Sequence, residues 1–239
     1  MASPHITLVV GGTSGIGLAT ARRLAAAGGT VHVASRDAAK VAALASSAPE
    51  LVAHQLDGAD GAAVAELAAA LAPIDALVVT IASSAGMGLL AELDPASLRR
   101  GFDEKVIAML TVLQASVPHL RPQGSITLVG AISAHAAMPG TAGIGAVNAA
   151  VESLVRPLAV ELAPRRINAV SPGLVDTPWW SGMPDQARAD YFASAAAKLP
   201  VRHVSSADEI AEAVALLATN TSMTGTIVPV DGGARLVQL

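Results

Sequence analysis

The sequence predicts an α/β fold in a single domain, with a doubly wound, seven-stranded parallel sheet that carries helices on both faces. Short runs rich in Val, Ile and Leu recur along the chain, and Ala-rich helical stretches separate them. Strands covered on both faces need such continuous apolar runs, and their alternation with helices favours parallel pairing. The length of 239 residues fits one α/β domain of about 200–250 residues. The seven predicted strands are Ile6–Val10, Val31–Ala34, Leu51–Gln55, Ala76–Thr80, Ser125–Val129, Ile167–Val170 and Thr226–Val230.

Three of the intervening helices carry their own start signals. Asp37 follows the second strand and can cap the next helix. Asp94 and Pro95 supply an N-cap and a first-turn proline. Ser206 and Glu209 have the spacing of a capping box, in which two side chains exchange hydrogen bonds with backbone N–H groups. These signals predict where three of the helices begin.

Composition and charge exclude several classes of partner. The chain carries a net charge of −4 without a basic stripe, which disfavours nucleic acid and anionic membranes. Its apolar runs, such as Ile6–Val10 and Ala76–Ile81, fall far short of the roughly 20 residues that span a membrane. It contains no cysteine, so disulfides and thiolate chemistry are excluded, and no metal site is predicted. The opening segment lacks the features of a secretory signal, which makes a cytoplasmic location the expectation.

One long stretch, from Ser171 to about Arg202, is predicted to be irregular. It is broken by prolines and glycines and contains both tryptophans of the chain. A loop of this length inside a compact domain is often a lid over a binding site, so we expect a lid at about residues 176–202. The aromatic residues of this stretch favour an apolar substrate pocket rather than chemistry, and they are Trp179, Trp180, Tyr191 and Phe192.

A glycine-rich segment follows the first strand directly. Residues 11–17 have the sequence Gly-Gly-Thr-Ser-Gly-Ile-Gly and lead into a helical stretch. Glycines here let the backbone turn tightly and approach a pyrophosphate, which then lies at the positive end of the helix dipole. The second strand is followed by Ser35 and Arg36, which offer a hydroxyl and a guanidinium to a 2′-phosphate, where NAD-binding proteins usually place an acid. These residues predict a site for NADP(H), although Arg36 alone also fits a solvated surface cation.

Four features together resemble the short-chain dehydrogenase/reductase family, and the resemblance covers essentially the whole chain. They are the glycine spacing Gly-x-x-x-Gly-Ile-Gly, the pair Leu56-Asp57, the Ser-Pro-Gly-Leu-Val-Asp-Thr-Pro stretch at Ser171–Pro178, and the Val-Asp-Gly-Gly stretch at Val230–Gly233. The resemblance implies a Rossmann-like fold in which Asp57 contacts the adenine amine, Ala82 brackets the ribose, and residues after Ser171 line the nicotinamide side. The cofactor residues that motif and resemblance indicate are Gly11, Thr13, Ser14, Gly15, Ile16, Gly17, Ser35, Arg36, Asp57, Ala82, Pro172, Gly173, Val175 and Thr177.

The reaction centre departs from the family pattern. The resemblance implies a Ser, a Tyr thirteen residues later, a Lys four residues beyond the Tyr, and an Asn on the preceding helix. In this sequence those positions hold Ala131, Ile144, Asn148 and Lys105. Counting thirteen residues back from Ile144 leads to Ala131, and reading forward along the fifth strand leads to the same residue. Two separate starting points therefore give the same alignment with the family pattern. We therefore expect an atypical member that lacks the usual Asn-Ser-Tyr-Lys set.

An amine at the Asn position and an amide at the Lys position suggest an exchange of roles. Our hypothesis is that Lys105, hydrogen-bonded through Asn148 or a water, acts as an acid or base. The alternative is that Lys105 extends to solvent from an exposed helix. His135 follows strand five, on the expected substrate side of the pocket, where an imidazole could act as an acid or could simply be solvated. The catalytic candidates are Lys105, His135 and Asn148, and the predicted substrate pocket consists of Ala131, Ser133, Ile144, Trp179, Trp180 and Tyr191.

The sequence leaves three functions open. The leading one is an NADPH-dependent oxidoreductase that acts on a small carbonyl or imine substrate by a non-standard proton relay, because positioning and the cofactor supply the hydride chemistry. The second is an NADP(H)-binding pseudoenzyme with a structural or regulatory role, and the third is a non-redox isomerase or cyclase. The resemblance also implies a homodimer or homotetramer that pairs helices within Pro95–Leu120 and Gly140–Ala163.

Overall fold

The strands form the predicted parallel sheet in a computed structural model that describes residues 5–237. In chain order they are β1 Ile6–Val10, β2 Thr30–Ser35, β3 Leu51–Gln55, β4 Ile74–Val79, β5 Leu120–Val129, β6 Arg166–Pro172, β7 Val175–Asp176, β8 Ser205–Ser206 and β9 Ile227–Val230. Seven of them pair in the order β3-β2-β1-β4-β5-β6-β9, and every pair is parallel. The strand order reverses between β1 and β4, as in a doubly wound sheet, so the predicted fold class is confirmed.

Helices cover both faces of this sheet. In chain order they are α1 Gly15–Ala26, α2 Ala38–Ser47, α3 Gly61–Leu71, α4 Pro95–Gly101, α5 Ala108–Ser116, α6 Ala142–Ser153, α7 Val155–Glu161, α8 Asp185–Lys198 and α9 Ala207–Thr219. The three predicted caps are present. Asp37 accepts a hydrogen bond from the Lys40 N–H, Asp94 caps α4, and Ser206 and Glu209 form the capping box of α9.

The stretch from Ser171 to Arg202 is more regular than predicted, and this prediction was wrong. β7 pairs with β8, and α8 occupies fourteen residues of the stretch. Pro184 precedes α8, and the Ala-rich sequence that follows has high helix propensity. Surface pairs add to it, since Gln186 donates to Asp190 at 2.9 Å and Arg188 contacts Asp185 at 3.0 Å. The longest broken part of the stretch lies between β7 and α8, where Pro178–Trp180 form one 3-10 turn.

Two apolar layers fix the sheet between its helices. On one face, Leu77 and Ile126 of the sheet lie in a buried cluster with Met109 of α5. On the other face, Val9 of the sheet lies in a second cluster with Val214 of α9 and other residues of α1 and α9. Each fully buried aliphatic side chain contributes about 1.5–3 kcal/mol. The carboxyl ends of the strands are therefore held in fixed relative positions, which is the requirement for a precise site.

The helix predicted within Pro95–Leu120 is interrupted by a π-helical segment at Phe102–Ile107, between α4 and α5. Such segments are rare and are frequent at functional sites. Here the segment carries Lys105, whose side chain is buried. Within residues 5–237, no helix combines the length and the apolar character that crossing a membrane requires.

Candidate active site

A cleft of about 640 Å³ opens at the carboxyl ends of the strands. Its walls come from the glycine-rich segment, the ends of β4, β5 and β6, one face of α6 and the aromatic residues before and within α8. This is the position at which open α/β sheets bind their ligands. The described residues contain no group of three or more His, Cys, Asp or Glu side chains that could hold a metal ion.

Three glycines of the glycine-rich segment, Gly11, Gly12 and Gly17, are packed so closely that no side chain fits at their positions. A Cβ added at Gly17 would lie 2.4 Å from the Gly11 carbonyl oxygen, and Gly11 itself has a φ of +90°. Ser14 makes no side-chain cap at the start of α1, so its side chain does not occupy the helix N-terminus. First-turn N–H groups can therefore bind an anion there. The predicted residues Gly11, Ser14, Gly15, Ile16 and Gly17 line the cleft, whereas Thr13 does not.

Three predicted residues lie beyond the cleft, at the ends of neighbouring strands. Ser35 accepts a hydrogen bond from the Asp37 N–H at 3.3 Å, and Arg36 is exposed. Asp57 follows β3 and accepts a hydrogen bond from the Ala59 N–H at 3.0 Å. Lys40 lines the cleft, although sequence reasoning did not select it. Its position three residues beyond Asp37, on the first turn of α2, was the signal that could have found it.

The residues predicted for the nicotinamide side are brought together. Ala82, Pro172, Gly173, Val175 and Thr177 all line the cleft. A Cβ added at Gly173 would lie 2.6 Å from the Asp231 Cα, so the Val230–Gly233 stretch packs directly behind it. The Ser171–Pro178 and Val230–Gly233 stretches, which are distant in the sequence, therefore pack together to form one wall of the cleft.

The end of the cleft that the family resemblance assigns to the reaction, called the reaction end below, is built around Lys105. The Lys105 side chain is buried, and its Nζ donates to Asn148 Oδ1 at 2.6 Å and to the Gly130 carbonyl at 3.3 Å. Asn148 Nδ2 in turn donates to Ser133 Oγ and to the Ile144 carbonyl, each at 3.0 Å. This burial excludes the alternative in which Lys105 extends to solvent. Ala131, Ser133, Ile144, Asn148 and Lys105 all line the cleft.

Burial lowers the pKa of Lys105 to about 8, because removal from water disfavours the charged amine. The carboxylate of Glu152 opposes this change, since an opposite charge favours the protonated amine. Sequence reasoning did not select Glu152. Its spacing from Asn148, four residues on the same helix, places both on one face of α6 and was the available signal.

His135 is not among the residues that line the cleft. Its Nε2 lies 2.5 Å from Glu152 Oε2, and its side chain is about half exposed at 49%. The expectation that His135 stands on the substrate side of the pocket is therefore corrected. A hydrogen bond to a buried carboxylate holds the ring outside the cleft.

The predicted aromatic residues form one wall of the cleft. Trp179, Trp180 and Tyr191 line it, and Phe192 packs edge-on against Trp180 with 5.8 Å between ring centroids. Trp180 Nε1 donates to the Val175 carbonyl at 3.0 Å, which ties this wall to β7. Burial raises the pKa of the Tyr191 hydroxyl, so this residue stays neutral near pH 7. The wall is apolar in character and partly open to solvent.

A Rossmann-like sheet with a glycine-rich turn at its first strand and a cleft at its strand ends defines a nucleotide-binding class of protein. A family model described as Enoyl-(Acyl carrier protein) reductase matches residues 10–235. The cis-4-hydroxycyclohexanecarboxylate dehydrogenase of Sinomonas cyclohexanicum is 33% identical over 98% of this chain and 97% of its own. The chain belongs to the short-chain dehydrogenase/reductase family, which confirms the resemblance.

Solved structures agree with this assignment. The crystal structure of a small-chain dehydrogenase in complex with NADPH is 33% identical, with a TM-score of 0.86 over 98% of this chain and all of that chain. A structure described as a short chain dehydrogenase/reductase family protein is 35% identical, with a TM-score of 0.83 over 97% of each chain. The chain therefore has the fold and the family of short-chain dehydrogenase/reductase oxidoreductases.

Proposed function

We propose that this chain is an NADPH-dependent oxidoreductase that reduces a small carbonyl or imine compound, with Lys105 as its proton donor. The observation that carries this proposal is the Lys105 amine, buried beside the cleft and hydrogen-bonded to Asn148. Ala131 and Ile144, at the positions of the family's Ser and Tyr, have no proton to give. The chain is thus an atypical member whose acid comes from a different helix.

The residues present fit NADP(H). Gly11, Gly12 and Gly17 leave room only for backbone, and the start of α1 offers N–H groups to a pyrophosphate. Arg36 and Lys40 supply positive charge near the end of β2 for a 2′-phosphate. The NADPH complex of a relative with 33% identity supports the same choice. When bound, NADPH supplies a hydride to the substrate carbon.

The chain's own residues then have two tasks at the reacting end. The protonated Lys105 amine gives a proton to a carbonyl oxygen as negative charge develops on it, or to an imine nitrogen before the hydride arrives, and is left neutral. Asn148 and the Gly130 carbonyl hold the amine in place through two hydrogen bonds. The apolar wall of Trp179 and Trp180 limits the access of water, which strengthens electrostatic interactions in the cleft.

An imine suits this site better than a ketone. Reduction of a ketone develops negative charge on oxygen, which the hydroxyls of the family's usual set would stabilise. Ala131 and Ile144 cannot do so. A protonated imine already carries a positive charge before reduction, so it depends less on such groups. We therefore propose imines as the preferred substrates.

Stopped-flow measurement of NADPH oxidation with matched cyclic imines and ketones tests this function. In Lys105→Met, turnover is expected to fall by about 10²–10⁴-fold, the usual contribution of a general acid. Lys198→Met, at an exposed helical position, is the control and should retain the wild-type rate. Unchanged NADPH affinity and turnover in Lys105→Met would refute the role of Lys105, and a slower reaction with every imine than with its matched ketone would refute the imine preference.

The same experiment separates the other candidate functions. Tight NADPH binding without oxidation across the whole panel favours the pseudoenzyme, which the missing hydroxyls of Ala131 and Ile144 would explain. Conversion of a substrate without NADPH consumption favours the isomerase or cyclase.

We also propose that the chain forms a homodimer or homotetramer. Ile107, before α5, and Val160, in α7, are 51% and 81% exposed, and both lie in the regions expected to pair. Light scattering coupled to size-exclusion chromatography measures the mass, and a monomer at micromolar concentration would contradict the proposal.

A further inference from the structure

Glu152 is a buried carboxylate one helical turn beyond Asn148. Its side chain is 3% exposed, and its Oε2 lies 2.5 Å from Nε2 of the half-exposed His135. Its other oxygen, Oε1, has no hydrogen-bond partner among the described residues. An unpartnered buried carboxylate oxygen is costly, so this arrangement calls for an explanation.

Gly130 lies between this carboxylate and the Lys105 amine. Lys105 Nζ donates to the Gly130 carbonyl at 3.3 Å, while a Cβ added at Gly130 would lie 2.9 Å from Glu152 Oε1. The two charged groups are therefore on two sides of the same residue. They are not in direct hydrogen-bond contact, so transfer of a proton between them would require a bridging water molecule or rotation of the carboxylate.

Two other charged side chains lie on the π-helical segment that carries Lys105. Glu104, on the same π-helical segment, accepts from Ser83 Oγ at 2.7 Å and lies 3.7 Å from Arg100 of α4. Asp103 is the remaining charged residue of that segment, and no charge of α5 or α6 besides Glu152 acts on the amine. Glu152 is thus the one charged group among the described residues that couples to Lys105.

We propose that His135 and Glu152 form a relay that returns a proton from solvent to Lys105 after each turnover. The inference rests on the proposed role of Lys105 as acid. Protonated His135 transfers its Nε2 proton to Glu152, and Glu152 transfers a proton to the neutral Lys105 amine. His135 then takes a proton from water. Only N–H and O–H bonds form and break, and no electrons are transferred. Both residues act through Lys105 and position its proton.

The first test measures the titration of Lys105 without any substrate. Competitive acetylation over a range of pH, followed by mass spectrometry, reports the reactivity of each of the three lysines, and exposed Lys40 and Lys198 serve as internal references. The Lys105 midpoint is expected near pH 8 in the wild type. Glu152→Gln should lower that midpoint because it removes the charge that favours the protonated amine. An unchanged midpoint in Glu152→Gln would overturn the relay.

A matched control is available elsewhere in the chain. His203 and Glu209 also form a half-exposed histidine–carboxylate pair, at 2.9 Å, away from the cleft. His203→Ala should leave the Lys105 midpoint and the turnover rate unchanged. His203→Ala and His135→Ala each remove a half-exposed imidazole that is hydrogen-bonded to a carboxylate. A difference between the two variants in the Lys105 midpoint or in the turnover rate therefore reports the connection of His135 to Lys105.

The second test uses chemical rescue of His135→Ala, which also applies if Glu152→Gln fails to fold. In weak buffer its kcat should fall by about tenfold or more, with NADPH affinity unchanged, and added imidazole should restore it. A wild-type kcat, or a loss that imidazole does not restore, together with a large loss in Lys105→Met, overturns the relay and leaves the proposed function standing. Wild-type rates in both variants overturn the proposed function and the relay with it.

Discussion

The two ends of the cleft present different chemical groups, backbone at one end and buried side chains at the other. At the nucleotide end, Gly11, Gly17 and the start of α1 present backbone groups in a space too small for side chains. At the reaction end, Lys105, Asn148 and Glu152 present buried side chains that hydrogen-bond or act on one another through their charge. The first end is governed by steric exclusion, and under the proposed function the second is governed by the protonation of a buried amine.

Because of this difference, the two ends should lose their function under different changes. A backbone site loses its function when atoms are added to it, at any pH. A buried-charge site responds to pH, because desolvation shifts the protonation equilibrium of the amine. The predictions below test this contrast, in order of decreasing effect.

The largest expected effect is an alkaline stabilisation that depends on Lys105. Its pKa is about 8 when folded and 10.5 in the unfolded chain, so between these values the unfolded state binds more protons and the free energy of unfolding rises with pH. The gain is on the order of 3 kcal/mol. It is fully present above the unfolded pKa and is lost as pH falls through the folded pKa.

Denaturant unfolding of the wild type and Lys105→Met from neutral to alkaline pH measures this gain as the difference between the two curves. Lys198→Met is the control and should keep the wild-type slope. If the free energy of unfolding of Lys105→Met changed with pH in parallel with that of the wild type, the reaction end would not be governed by a buried charge.

A steric effect of about 1–3 kcal/mol is expected at the nucleotide end from Gly17→Ala, because the added Cβ meets the Gly11 carbonyl oxygen. Thermal unfolding and NADPH titration should both show the loss, with the same size at neutral and alkaline pH. Gly182→Ala is the control, since no atom lies within 4 Å of its added Cβ. Equal stability of the two variants would contradict the steric account.

A smaller effect is expected from Arg36→Ala. Loss of an exposed charge-assisted hydrogen bond to a 2′-phosphate should weaken NADPH binding by about tenfold and leave NADH binding unchanged. Fluorescence titration with both nucleotides measures the ratio. Arg99→Ala, at an exposed position of α4, is the matched control. An equal loss for both nucleotides in Arg36→Ala would remove the proposed basis for choosing NADP(H).

The smallest effect is expected at acidic pH, in the strands beneath the nucleotide end. His32 Nδ1 and His54 Nε2 lie 2.9 Å apart on β2 and β3, and burial lowers the pKa of both rings. Since the unfolded chain binds these protons more readily, the stability of this region falls as pH drops below about 6.5. His54→Gln should flatten the acid side of the stability curve, and an unaltered acid limb would exclude this pair as the cause.

Much of this contrast could be predicted from the sequence. The glycine spacing predicts the tight turn because only glycine fits there, and the family resemblance, read together with the strand and helix positions, implies the register of Ala131, Ile144, Asn148 and Lys105. The structure brings all four to one cleft, as that register requires. The helical character of residues 185–198 was missed because neighbouring prolines and glycines dominated the prediction.

The sequence by itself determined the parallel sheet, the glycine-rich turn and the residue types available at the reaction end, because local propensity and backbone sterics act over short distances. Only the tertiary structure decided that Lys105 is buried, that Glu152 acts on it, and that His135 connects that carboxylate to solvent. Protonation depends on which charges surround an amine and on how much water reaches it, and packing between distant segments sets both.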